Sequence, residues 1–159
     1  PSRILGIPGT VRLTPNIIAL VDTSGSITVR ELEIFIGEIA RLVEKLRVTT
    51  HVIFWDVEAY GPYRVETARD IYKKLIKNIK GGGGTKIRPA LEKGLELAKR
   101  LNTKPIPILV LTDSEIQDIE DKETQRLITE LSTITRPRIW LTTYKTPPKQ
   151  IQHNWKTYK

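Results

Sequence analysis

Three separated pieces of this chain carry oxygen ligands on short side chains. Asp22-Thr23-Ser24-Gly25-Ser26 places one carboxylate and two hydroxyls at alternate positions, directly after the apolar run Ile17-Ile18-Ala19-Leu20-Val21. Thr85 follows the glycine run Gly81 to Gly84, and Asp113 closes a second apolar run, Ile106 to Thr112. Hard oxygen donors of this kind suit Mg²⁺, Mn²⁺ or Ca²⁺. Brought together, Asp22, Ser24, Ser26, Thr85 and Asp113 would form an octahedral site. Two aspartates neutralise a divalent ion and leave it electrophilic towards one more oxygen.

Such a site needs elements that make the three pieces converge. Asn16 to Val21, His51 to Trp55 and Ile106 to Thr112 read as buried strands, continuous in apolar residues as central parallel strands are. Arg138 to Tyr144 reads as a half-buried strand, and Glu58 to Val65, with Gly61-Pro62, as a short hairpin-like edge strand. Thr28 and Glu31 form a capping box for a helix over about 29–47, with Leu32, Ile36, Ile39, Val43 and Leu46 inward. Thr67 caps a second helix, whose stripe is Ala68, Ile71, Tyr72, Leu75, Ile76 and Ile79. Pro89 fits the first turn of a third. Ser114 and Gln117 make another capping box, opening a fourth helix to about Thr133. Glu115, Asp118, Glu120 and Asp121 then fall in its first turns, where they favour the macrodipole. The tail 146–159 looks irregular, with 153–158 able to begin a last strand. Alternating strands and helices imply a three-layer α/β/α, doubly wound, mostly parallel sheet, whose ligands bind at the carboxyl ends of the strands where the order reverses.

The D-x-S-x-S segment, a distant threonine after glycines and a distant aspartate ending a strand together resemble the metal-ion-dependent adhesion site (MIDAS) of von Willebrand factor A (VWA) domains, over nearly the whole chain. The resemblance implies a Rossmann-like VWA fold. It implies that Ser24, Ser26 and Thr85 touch the metal directly while Asp22 and Asp113 act through water, and that the ligand is a Glu or Asp carboxylate of a protein partner. Asp22 to Ile27, a strand ending in Asp56 and the Gly-Gly-Gly-Gly-Thr loop are most similar to prokaryotic intracellular VWA-like domains. These include domains that follow predicted metallopeptidase segments, and others that work beside MoxR-type AAA+ ATPases and in chelatases. Such a partner, with Mg²⁺ as cofactor, is expected here. Many members have glycine after the last aspartate of the site, where this chain has Ser114.

Gly84, Lys86, Arg88 and Asp56 are expected around the site. Gly84 lets the loop approach, Lys86 and Arg88 (with Lys80) attract an anionic ligand, and Asp56 stands behind the metal ligands. The loop is not a phosphate-binding P-loop, because Lys86-Ile87 occupy the places where Gly-Lys is required.

With 159 residues, 39% hydrophobic and 28% charged, the chain reads as one domain, 1–159, cut from a longer protein because it begins with Pro and contains no Met. Cys is absent, which excludes disulfides and thiolate chemistry. No apolar run approaches the ~20 residues of a membrane span, and a cytoplasmic location is expected. His51 and His153 have no ligand partner at metal-binding spacing, and no Ser-His pair or G-x-S-x-G elbow is present. The expected function is a non-catalytic, metal-dependent protein-interaction module. The alternatives are nucleic-acid binding through the net charge of +8, without an evident stacking platform, and a metal-assisted hydrolase or phosphoesterase with Asp56 as base.

Overall fold

A computed structural model describes residues 15–143 and 145–158. Six strands form one sheet in the order β3-β2-β1-β4-β5-β6. They are β1 (Asn16–Asp22), β2 (Thr49–Trp55), β3 (Ala59–Val65), β4 (Ile106–Thr112), β5 (Thr135–Thr142) and β6 (Lys156–Tyr158). All neighbours pair in parallel except β2 and β3, which are antiparallel. The chain moves outward from β1 to β2 and β3, then crosses back to add β4, β5 and β6 on the other side. The reversal therefore falls between β1 and β4, which is the doubly wound arrangement expected.

The pleat sends alternate side chains to opposite faces. Ile18 and Leu20 of β1, Ile53 and Trp55 of β2, and Ile108 and Val110 of β4 pack with α3 (Arg88–Arg100) and α4 (Lys122–Ser132). Ile17, Ala19 and Val21, with Val52, Phe54, Leu109 and Leu111, pack against α1 (Val29–Glu44) and the segment after β3. That segment begins as α2 (Ala68–Asp70), widens through a π-helical turn (Ile71–Leu75) and ends in a tighter 3₁₀ turn (Ile76–Asn78).

The capping boxes at Thr28–Glu31 and Thr67–Asp70 both form. The buried stripe of α1 is rotated from the expected one: Phe35, Ile39, Leu42 and Val43 face the sheet, while Leu46 lies beyond the helix and is 53% exposed. In the second helical segment, Tyr72 and Ile76 point outward. The π turn breaks the 3.6-residue phase on which their inward placement relied.

The larger correction lies after β4. Ser114 and Gln117 do not cap a helix. Ser114 has φ +68, a conformation outside any helix start, and residues 114–120 form turns before α4 begins at Lys122. β5 starts at Thr135, earlier than expected, and Tyr144 lies outside the described residues. The tail carries a short helix, α5 (Lys149–Gln152), before β6.

Candidate functional site

Strands β1 and β4 run side by side with Val21 opposite Leu111. Asp22 and the Thr112-Asp113 pair therefore emerge together at the carboxyl end of the sheet, at the point where the strand order reverses. The Thr112 hydroxyl donates to Asp22 Oδ2 at 2.6 Å, and the Ser24 amide donates to Asp22 Oδ1 at 2.9 Å. The hydroxyls of Ser24 and Ser26 lie 3.1 Å apart, and Ser26 Oγ donates to Asp113 Oδ2 at 2.7 Å. Asp113 Oδ1 accepts from the Glu115 amide at 2.9 Å. One hydrogen-bonded cluster thus contains Asp22, Ser24, Ser26 and Asp113, residues up to 91 positions apart in sequence.

Thr85 lines the same open depression as Ser26, Gly25 and Gly83. Its loop is held from three sides. The Gly82 amide donates to the Thr23 carbonyl and the Gly25 amide to the Gly83 carbonyl, both at 2.8 Å. Gln117, in the turn after β4, closes the loop from the other side: its side-chain oxygen accepts from the Thr85 amide at 3.2 Å, and its own amide donates to the Thr85 carbonyl at 2.8 Å. Asp56 braces the third side, with Oδ2 accepting from the Gly83 amide at 3.3 Å and Oδ1 from the Glu58 amide and the Tyr60 hydroxyl. Two glycines are indispensable to this packing. A Cβ on Gly81 would stand 2.1 Å from the Thr23 carbonyl oxygen, and Gly82 adopts φ +93. Gly84 lies against the Gln117 side chain.

Asp22 is fully buried, and burial pushes its carboxyl up to about 6. The hydrogen bonds from Thr112 and Ser24 pull it down, and the charge of Asp113 pushes it further up. No lysine or arginine is among the groups that act on it. The cluster is thus a pair of buried carboxylates with three hydroxyls, and among the described residues neither carboxylate forms an ion pair, although the Lys145 ammonium, paired with Glu115, feels the charge of Asp113; such a donor set fits a hard divalent ion. Among the described residues there is no group of three or more His, Cys, Asp or Glu side chains that could hold a metal. Any ion here must rely on the Ser and Thr hydroxyls.

The cationic residues expected around the site, Lys80, Lys86 and Arg88, do not line this depression. Lys86 and Arg88 line a neighbouring hollow with Glu92, Asp118 and Asp121, and Arg88 pairs with Glu92 at 3.6 Å. Lys80 sits over the Tyr60 ring, 6.0 Å from its centroid. Of the carboxylates read as the first turns of a fourth helix, Asp121 is the N-cap residue of α4, while Asp118 and Glu115 have other duties. Asp118 is buried and accepts from the Ile87 and Arg88 amides at 2.8 and 3.0 Å, so it caps α3 rather than α4. Glu115 borders the depression beside Ser26 and forms an ion pair with Lys145. Ser114 accepts from Trp140 Nε1 and donates to Thr142 Oγ1, both at 3.0 Å, which anchors the loop after Asp113 to β5.

Sequence reasoning missed Thr112 and Gln117, the two residues that fix Asp22 and Thr85. Thr112 carries a signal only in retrospect, as a hydroxyl ending an otherwise apolar strand. Gln117 was hidden by its place in an apparent capping box.

A family model described as "VWA-like domain (DUF2201)" matches residues 17–137. No curated protein matches the chain. Among solved structures, the chain is similar to a von Willebrand factor type A protein from Catenulispora acidiphila, with a TM-score of 0.63 and 13% identity, covering 81% of this chain and 33% of that one. It is similar to BatB from Bacteroides thetaiotaomicron, with a TM-score of 0.61 and 19% identity, covering 80% of this chain and 66% of that one. It is also similar to the ArnB paralog VWA2 from Sulfolobus acidocaldarius, with a TM-score of 0.57 and 21% identity, covering 83% and 35%. At these identities the likeness is one of fold, and this chain spans a third to two-thirds of those proteins.

Proposed function

The chain belongs to the VWA-like domain (DUF2201) family, and from that membership we propose that it is a non-catalytic protein-interaction module whose binding depends on a divalent cation, Mg²⁺ in the first instance. Asp22, Ser24, Ser26, Thr85 and Asp113 would hold the ion. When bound, a cation supplies a Lewis-acidic position for one further oxygen, that of a partner's Glu or Asp carboxylate. The observation that carries the reading is the Asp22–Ser24–Ser26–Asp113 cluster, in which two buried carboxylates meet and neither forms an ion pair among the described residues.

The residues around the cluster have separable tasks. Thr112 and the Ser24 amide orient Asp22. Gln117 and Asp56 hold the Thr85 loop against the cluster. The depression above is bordered by Glu115, whose ion pair with Lys145 could open and offer its ammonium to an incoming carboxylate. A cytoplasmic MoxR-type AAA+ ATPase is the partner this reading favours. No helix among the described residues is long and apolar enough to cross a membrane.

The test is binding of a peptide with one central glutamate, followed by fluorescence anisotropy in Mg²⁺ and in EDTA. Support is binding in Mg²⁺ that disappears in EDTA and in Asp22→Ala. Binding that ignores EDTA and falls steeply with salt would instead favour the basic surface and nucleic acid.

A further inference from the structure

We propose that the groove between α1 and the helical segment 68–79 is a second docking site, which takes an amphipathic helix of a partner protein carrying basic residues about three turns apart. The groove lies on the α1 face of the sheet, with a volume of about 420 Å³. Leu32, Ile36, Ile71 and Ile79 line it, and three of the seven large apolar side chains exposed among the described residues stand along it: Val29 (76%), Tyr72 (68%) and Ile76 (46%). Leaving such side chains in water has a cost that a covering partner removes.

The occupant's chemistry follows from the charges. Among the described residues, the only charged ones lining the groove are Glu33 and Glu44, and neither forms an ion pair. In a chain of net charge +8, this apolar channel is bounded by acid alone. Glu33 and Glu44 are eleven residues apart, which is three helical turns and places them on one side of α1, about 16 Å apart. A helix of similar length lying along α1 would bury an i, i+3, i+4, i+7 stripe and meet the two carboxylates with Lys or Arg at the same separation.

Gly37 supports this independently. It lies in the middle of α1 and lines the groove, yet a Cβ there would meet nothing within 4 Å. Packing among the described residues does not require it, and glycine weakens a helix interior relative to alanine. A bare backbone at that place allows close approach from outside. The segment opposite is a π turn followed by a 3₁₀ turn, a geometry that turns Tyr72 and Ile76 outward to the groove edge.

The probe is a fluorescein-labelled synthetic helix of about 16 residues with a leucine stripe and two lysines eleven residues apart; its partner probe has glutamates in their place. Fluorescence anisotropy is read with wild type, Tyr72→Ala, Gly37→Leu, the pair Glu33→Lys with Glu44→Lys, and Asp22→Ala, each checked for folding by circular dichroism. The basic probe should bind wild type and Asp22→Ala equally. It should bind the other three at least about tenfold more weakly, and the charge-reversed protein should prefer the acidic probe. Tyr72 is exposed, so Tyr72→Ala keeps the test valid should Gly37→Leu unfold. Equal binding of both probes to wild type, or unchanged binding by Tyr72→Ala, overturns the proposal. So does a concentration-dependent dimer in sedimentation that Tyr72→Ala dissolves, which would give the groove to a second copy of this chain.

Discussion

Replacing Asp22 by Asn should stabilise the metal-free protein at neutral pH. Asp22 is fully buried, and its carboxyl is raised from 3.8 to about 6. The folded state therefore holds a proton that the unfolded chain has released between those values. The stability linked to that proton is complete below pH 3.8 and is lost as pH rises through about 6. At about 1.36 kcal/mol per pH unit, the ionised carboxylate costs the fold about 3 kcal/mol at pH 7. Asparagine keeps one acceptor for the Ser24 amide and presents its NH₂ to the Thr112 hydroxyl, which can turn to accept. The charge-assisted character of those two bonds is lost, which offsets part of the gain. Urea unfolding in EDTA should show Asp22→Asn more stable by about 1–3 kcal/mol at pH 7, with the advantage shrinking towards pH 4. Its thermal midpoint should rise by several degrees. With Mg²⁺ in excess the order should reverse, because only wild type gains from binding. A difference that does not change between pH 4 and pH 7 would refute the burial argument.

Three further outcomes are expected. Gly81→Ala, whose Cβ overlaps the Thr23 carbonyl, should displace the Thr85 loop and weaken Mg²⁺ binding at least about tenfold, with circular dichroism unchanged; unaltered calorimetric affinity would contradict the loop geometry. Asp118→Ala orphans the Ile87 and Arg88 amides at the start of α3 and should cost about 2–3 kcal/mol in denaturant unfolding. His51 is buried, with Nε2 against Asn16 Oδ1, and burial and then Arg64 hold it below its ordinary 6.5. Its contribution to stability is present above pH 6.5 and is lost as pH falls below that value, so the urea midpoint of wild type should drop relative to His51→Gln below pH 6.5.

The sheet was legible because its central strands bury both faces. A run such as Ile17 to Val21 has no polar side and fits only the middle of a covered parallel sheet. The edge strand announced itself through Gly61-Pro62, and α1 through a capping box that does form. The pentapeptide after β1, the glycine run and Asp113 were legible as a set of oxygen ligands because each follows a strand or a turn signal. The failures after β4 share one cause, that polar side chains serve distant partners as readily as local ones. Ser114 and Gln117 have the spacing of a capping box, but φ +68 at Ser114 removes it from the helix and Gln117 bonds to Thr85, 32 residues away. Asp118 looked like a charge in the first turn of one helix and instead caps another. Lys86 and Arg88 are adjacent to Thr85 in sequence, yet they line another hollow in the company of carboxylates. The π turn at Ile71–Leu75 left no mark in the pattern of apolar residues, so the outward turn of Tyr72 was invisible.

We propose that Asp22, Ser24, Ser26, Thr85 and Asp113 hold a divalent ion. Calorimetric titration of Mg²⁺ and Mn²⁺ into wild type and into Asp22→Ala with Asp113→Ala tests it most directly. One saturable site is expected in wild type, tightened by a glutamate-bearing peptide and absent from the double variant. Equal heats in the two proteins, or none in either, would contradict it.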